Sequence, residues 1–435
     1  EAGLAERAVG YWLSAARRTL ERSANLEAIG HVERGLAQIE SFPAGAPRAR
    51  FELELRTVLG PALVATRGYG APKVEANYAR AQELCAEVGE APQLFWVLRG
   101  LWAFHLIRNS FERALEIARR MMEIAEQRAE RALLFEAHLS VAMPELFLGD
   151  FAAAETQLES GLALDSPARD PTPRFITGLD VAVTTLGISA VALWHLGRFR
   201  EAARRSAAAI DLARDIGHPF SLADALSSAG WVHHLLLQPS AVRRTAAELR
   251  ALSQEKGFLS QAHSEIQLAW ALSREKDSGD SDGSPADWVL RAQTGVEAYR
   301  ASGARLSEIY FLWLLVEVCA ECGRMDEARK VLAEARQKAD ELGPRFFWHA
   351  QLLCLEGEFA EGDAARDAYL AALRVAEAQG SLALSLRARF GLARNLEREG
   401  RSAEVRATLA PILDVFAEEA SPELRAAREL FSRHN

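Results

Sequence analysis

The sequence predicts an all-helical chain built from stacked helix pairs, and three observations predict it. Ala, Leu, Glu and Arg dominate its 435 residues, and all four are strong helix formers. β-branched residues seldom alternate with polar ones, so no segment reads as a half-buried strand. A short phrase also recurs about every forty residues, in the range of repeat architectures. Length agrees with repetition: one ordinary core does not organise a chain this long, whereas repeat units pack only on their neighbours. With 49% hydrophobic and 26% charged residues, the composition is that of a folded chain rather than a disordered one.

The recurring phrase is a helical stretch, a Gly or Asn with a polar neighbour, an aromatic or apolar residue, and an Ala one turn later. Asn25-Leu26-Glu27-Ala28 is the N-terminal copy. Asn109-Ser110-Phe111 leads to Ala114, and Gly149-Asp150-Phe151 to Ala154. Gly197-Arg198-Phe199 leads to Glu201-Ala202, and Gly323-Arg324-Met325 to Glu327-Ala328. Gly357-Glu358-Phe359 and Gly400-Arg401-Ser402 are weaker copies, and turns near Gly68-Tyr69-Gly70 and Gln238-Pro239 fit degenerate ones. Each residue type has a task. Gly takes the left-handed conformation that ends the first helix. Phe or Met plugs the crevice between helices, and the small Ala lets the second helix approach the first. This is the helix-turn-helix unit of a tetratricopeptide repeat.

The expected fold is therefore an all-α tetratricopeptide-like α-solenoid, a right-handed superhelix of antiparallel helix pairs. It forms one array over residues 1–435 with roughly ten pairs, well above the three or so that a stable stack needs. Two stretches break the rhythm. Residues 165–174 hold three prolines, so no helix crosses them. Residues 276–286 form an acidic Gly/Ser loop.

Charge and motifs exclude several function classes. A net charge of −9 gives no basic footprint for nucleic acid, and pairs such as Arg204-Arg205 sit among acids. No apolar run approaches the roughly 20 residues of a membrane helix; the most apolar window, Ile309 to Ala320, contains Glu317. Four cysteines are no disulfide framework and point to a reducing, cytoplasmic setting. Cys319-x-x-Cys322 lacks the second pair that a zinc site needs, so buried structural thiols are expected. His233 and His234 diverge by about 100° on a helix, which disfavours a shared metal. No phosphate loop, dinucleotide fingerprint or nucleophile elbow is present. No cofactor, metal or catalytic residue is therefore expected.

The candidate site is the inner stripe of the first helix of each pair, which lines the concave face of such arrays. Counting back from the turns places Trp96 and Arg99 there, then Trp194 and His195, Trp231 and His234, and Tyr310, Trp313 and Glu317. Trp, Tyr and Arg are enriched at interface hot spots. These residues are expected to wall a groove for a peptide, a partner domain or a small effector. The rival expectation is that the rings fill gaps between long helices, because Trp is usually buried.

Three separated segments carry a narrower resemblance. They are Ala8-Val9-Gly10-Tyr11-Trp12 with Arg22-Ser23-Ala24-Asn25-Leu26-Glu27-Ala28, then Gly217-His218-Pro219-Phe220-Ser221-Leu222-Ala223, then Tyr299-Arg300-Ala301-Ser302-Gly303-Ala304. Their order resembles the C-terminal tetratricopeptide region of large bacterial signalling proteins. In those, a class III adenylate/guanylate cyclase domain and an ATPase of the AAA or STAND type precede the repeats. The resemblance implies a regulatory arm whose partners include other domains of the same polypeptide, and the start at Glu1, inside a helical pattern, agrees with a piece of a longer protein. A self-contained adaptor binding peptides or partner proteins is the alternative. An enzyme built on the solenoid is a distant third.

Overall fold

The computed structural model describes residues 2–434 except 23, 69, 90–91, 167–177, 259, 276–282, 417–418 and 420. Among the described residues there are twenty-one α-helices and no strand. The fold is all-α and tetratricopeptide-like. The chain divides into two compact units.

The first unit comprises Glu1–Pro144, Leu164–Val181 and Arg300–Leu306. It holds α1 (Ala2–Glu21), α2 (Asn25–Ile39), α3 (Ala46–Arg67), α4 (Pro72–Val88), α5 (Leu94–Ile107), α6 (Phe111–Arg128) and most of α7 (Arg131–Phe147). From α1 to α6, consecutive helices pack together, and α3 also packs on α1 and on α5. Odd helices therefore meet more neighbours, and the sequence matches. In α5, ten of fourteen residues are buried, on every side of the helix. In α6 the buried set is the single stripe Phe111, Ala114, Ile117, Ala118, Met121 and Ala125, the spacing of an amphipathic helix.

The second unit comprises Glu145–Ala163, Ala182–Tyr299 and Ser307–Asn435. Its helices are α8 (Phe151–Leu162), α9 (Val181–His195), α10 (Phe199–Ile216), α11 (Pro219–Leu235), α12 (Pro239–Lys256), α13 (Gln261–Arg274) and α14 (Pro285–Ala301). They continue with α15 (Glu308–Glu321), α16 (Met325–Glu341), α17 (His349–Phe359), α18 (Gly362–Gln379), α19 (Leu382–Arg398), α20 (Ser402–Val415) and α21 (Pro422–Arg433). The same scheme holds: α11 packs on α13, α13 on α15, α17 on α19 and α19 on α21, besides sequential contacts.

The turns show why the phrase recurs. Asn109, Gly149, Gly197, Leu237, Gly323 and Gly400 all take positive φ, from 54° to 79°. In each case the next amide reaches back to the carbonyl five residues earlier, as Arg198 N does to Leu193 O at 2.9 Å and Arg324 N to Cys319 O at 2.8 Å. This is the capping bond of a left-handed helix terminus, which satisfies carbonyls left open at the helix end. Five residues past the turn, Ala114, Ala154, Ala202 and Ala328 have no exposed surface. Val242 and Val405 occupy the same place in the degenerate units and are equally buried.

One expected turn is displaced. Gly357 lies inside α17, which continues to Phe359, and the chain reverses at Ala360 and Glu361 instead. A Cβ on Gly357 would come within 2.8 Å of the Tyr369 ring, so this glycine permits a close helix approach rather than a turn. Of the two irregular stretches expected, most of 165–174 and of 276–286 falls outside the described residues.

A buried polar link joins α8, α9 and α10. Ser189 donates to Glu155 at 3.0 Å, and Arg205 donates to Ser189 and pairs with Glu159. Burial pushes the Glu155 carboxyl up to about 8; the Ser189 hydrogen bond opposes that shift and Glu159 adds to it. An acid whose folded pKa is raised contributes its stability fully below its unfolded value, near 4.5, and loses it as pH rises toward 8. Glu155→Gln, which stays neutral, is therefore expected to be more stable than wild type at pH 8 by about 1–3 kcal/mol and equal to it at pH 4.5. Urea melts at both pH values check this, and equal gains at both would remove ionisation as the cause.

Candidate functional site

In the second unit, the odd helices bring most of the expected site residues together. Trp194 and His195 end α9, Trp231 and His234 lie on α11, and Tyr310, Trp313 and Glu317 lie on α15 at helical spacing, which sets them on one stripe. Three further aromatic rings join them. Trp270 comes from α13, and Phe347 and Trp348 come from the segment entering α17. Ring centroids are 4.8 Å apart for Trp231 and Tyr310, 4.5 Å for His234 and Trp313, and 5.1 Å for Trp313 and Trp348. His195 stacks on Phe151 at 3.8 Å and lies 5.6 Å from Trp348.

Glu317 is the hub. Trp313 Nε1 donates to one oxygen at 2.6 Å, and Trp270 Nε1 and Arg274 donate to the other at 2.6 and 3.1 Å. His234 Nε2 stands 3.5 Å away, an ion-pair distance but too long for a good hydrogen bond. Burial acts to raise the Glu317 carboxyl, but His234, Arg274 and Trp270 outweigh it and hold it well below the usual range. Burial pushes His234 down despite the carboxylate. The indole N–H groups and Arg274 donate to Glu317 whatever the imidazole does.

Arg387 on α19 supplies a second buried charge. It makes two hydrogen bonds to Glu423 on α21, at 2.6 and 3.0 Å, and one to Gln351 on α17 at 2.6 Å. Its guanidinium lies 5.3 Å from the Trp194 ring. His195 Nδ1 is 3.0 Å from Ser381 Oγ. Burial first, then Arg387, push its imidazole well down, so it is neutral.

The expected groove wall is instead interior. Trp194, His195, Tyr310 and Trp313 are at most 1% exposed, and Trp231 is 7% exposed. The reason is packing. Each odd helix is flanked by its even partner and by other odd helices, so large rings on its inner stripe fill the space between helices. A second property sets this interior apart. Trp231 Nε1, Trp348 Nε1, Tyr310 OH, His234 Nδ1 and His195 Nε2 are buried with no hydrogen-bond partner among the described residues. Gln267 Oε1 is likewise buried without a partner, while its amide nitrogen donates to Ser227 O at 3.3 Å.

Trp96 and Arg99 belong to the first unit. Arg99 is buried, pairs with Glu136 at 3.1 Å and lies 4.3 Å from the Trp102 ring. Trp102 Nε1 donates to Ser140 O at 2.7 Å. Trp96 is half-buried, edge-on to Phe95. Arg99 is thus a core ion pair rather than a groove residue.

Spacing pointed to the stripe but missed Trp270, Trp348, Arg274 and Arg387. Trp348 precedes its helix, so no helical count from a turn reaches it. Arg387 sits where Tyr310 sits on α15, but the change of residue type hides the equivalence. The rejected metal motifs resolve locally. His233 turns to Gln238 at 2.9 Å while His234 faces Glu317. Of the Cys-x-x-Cys pair, Cys319 is buried and burial pushes its thiol up to about 12, whereas Cys322 is only partly buried. Among the described residues no helix is long and apolar enough to cross a membrane.

The fold is that of a tetratricopeptide-like helical-repeat protein. No protein-family model matches the chain. It is similar to an uncharacterized protein of Rhizobium meliloti, 26% identical over 404 residues and 90% of this chain. The chain spans 38% of that relative's length. Among solved structures it is similar to a Rap protein complexed with competence and sporulation factor. That likeness covers 86% of this chain and 99% of the other, with a TM-score of 0.55 and 12% identity. The quorum sensor NprR from B. thuringiensis is similar over 75% of this chain and 85% of its own, with a TM-score of 0.52 and 11% identity. At such identities the likeness is one of fold.

Proposed function

We propose that this chain is a non-catalytic binding and regulatory module of a larger signalling protein, with an ATPase or nucleotide cyclase as the domain it controls. The carrying observation is the set of five unpartnered polar atoms on mutually touching buried rings. Buried polar atoms need partners, and a core built only for stability gains from replacing them with apolar groups. Their presence supports a bistable interior, in which a bound peptide, partner domain or small effector supplies polar partners and shifts the odd helices. The Rap protein's complex with competence and sporulation factor supports a bound effector as one such ligand by analogy of fold. The greater length of the Rhizobium relative supports attachment to further domains.

Tyr310→Phe tests this, because it removes one unpartnered hydroxyl and no ring contact. The variant is expected to be as stable as wild type or more so, by up to about 2 kcal/mol, since an unsatisfied polar group is lost. In the product of the complete gene it is expected to blunt the control of ATP hydrolysis or cyclic-nucleotide output. Unchanged control would reduce the ring cluster to packing. If the gene encodes no nucleotide-binding domain upstream of Glu1, the self-contained adaptor replaces the regulatory arm.

A further inference from the structure

A separate cleft lies wholly within the first unit. It occupies about 360 Å³ between α2 and α4, over a floor made by α3. That is in the lower part of the range of about 300–1,000 Å³ for small-molecule sites. Sequence spacing builds it. Leu59 and Leu63 lie one turn apart on α3 and form an apolar floor, with Ile29 of α2 beside them. Ala76 on α4 is small, which leaves the space open.

The rim is cationic. Arg56, Arg67, Lys73 and Arg80 line it against a single acid, Glu33. Two of the four cations are already engaged. Glu52 holds Arg56 at 2.8 Å and Arg80 at 3.1 Å, and Arg80 also reaches Glu83 and Glu87. Arg67 and Lys73 form no ion pair among the described residues, and both are exposed at the mouth. Lys73 sits in the first turn of α4, where the partial positive charge of the helix end adds to its own. The lining also includes Asn77, which is 3% exposed. Its amide nitrogen donates to Arg56 O at 2.9 Å, while its Oδ1 has no partner.

We propose that this cleft is a binding site for a small amphipathic anion. The apolar body of the ligand lies on Leu59, Leu63 and Ile29, and its carboxylate or phosphate head meets Arg67 and Lys73. The polar rim fixes orientation. This site does not depend on the ring cluster of the second unit, so either can fail alone.

Calorimetric titration of the 435-residue chain tests the proposal with four probes: decanoate, decyl phosphate, decanol and inorganic phosphate. Decanoate or decyl phosphate is expected to bind at least about tenfold tighter than decanol, and to weaken as salt rises. The better of the two identifies the head group. Inorganic phosphate, lacking the body, is expected to bind far more weakly. Two variants locate the site. R67E with K73E reverses the free charges at exposed positions, and A76F fills the cleft without changing charge. Each is expected to weaken the anion about tenfold or more with unchanged circular dichroism. Decanol binding as tightly as both anions would overturn the proposal. So would inorganic phosphate matching them, or both variants binding like wild type.

Discussion

Glu317→Leu is expected to lower stability by about 3–5 kcal/mol, because it strands two buried indole donors and removes the counter-charge of Arg274. The side chain is 11% exposed and accepts from Trp270, Trp313 and Arg274, which ties α13 to α15. Leucine fits the volume but accepts nothing. Glu317→Gln keeps one acceptor and is expected to lose less, about 1–3 kcal/mol. The pH dependence separates charge from shape. An acid whose folded pKa is depressed contributes its stability above its unfolded value, near 4.5, and loses it as pH falls toward the folded one. The gap between wild type and Glu317→Leu should hold steady from pH 8 to 5 and narrow below 4.5. Guanidinium or urea melts across that range read it directly. A gap that stays constant into acid would mean that the carboxylate's charge contributes nothing.

Ala202→Arg is expected to cost at least as much, several kcal/mol, and in a different way. Ala202 has no exposed surface and follows the Gly197 turn by five residues. A long cation there must force the α10 backbone away from its neighbours or bury an unpaired charge. In a repeat protein such damage spreads to adjacent units, because each is stabilised by the next. Thermal melting monitored by circular dichroism measures it. The conservative Ala202→Ser should lose about 1 kcal/mol or less, and parity between Arg and wild type would mean that the repeat register is misplaced.

Much of this protein is written locally. Positive-φ glycines, the aromatic plug and the buried alanine recur with the same offsets, and each offset rests on short-range physics: a left-handed cap, a filled crevice, a close approach. Even Leu237, an unusual residue at positive φ, follows the pattern, with the Gln238 amide reaching back to His233 O at 2.9 Å. Gly357 misled for an instructive reason. A helical glycine and a turn glycine look alike in sequence, and only the Tyr369 ring packed against it distinguishes them.

The candidate site was half legible. Spacing alone put Trp231, His234, Tyr310, Trp313 and Glu317 on shared helix stripes, because the 3.6-residue period fixes which side chains align. Whether a stripe faces water or other helices depends on residues tens of positions away. Trp270 lies 47 residues from the Glu317 it donates to, and Ser381 lies 186 residues from the His195 it meets. The sequence by itself determined the helices, their turns and the membership of the inner stripe, since those follow from interactions within a few residues. Only the tertiary structure decided that the stripe in the second unit is a closed polar and aromatic interior, and that the first unit carries an open cationic cleft. Burial and pairing are properties of what packs on top, and no local pattern specifies that.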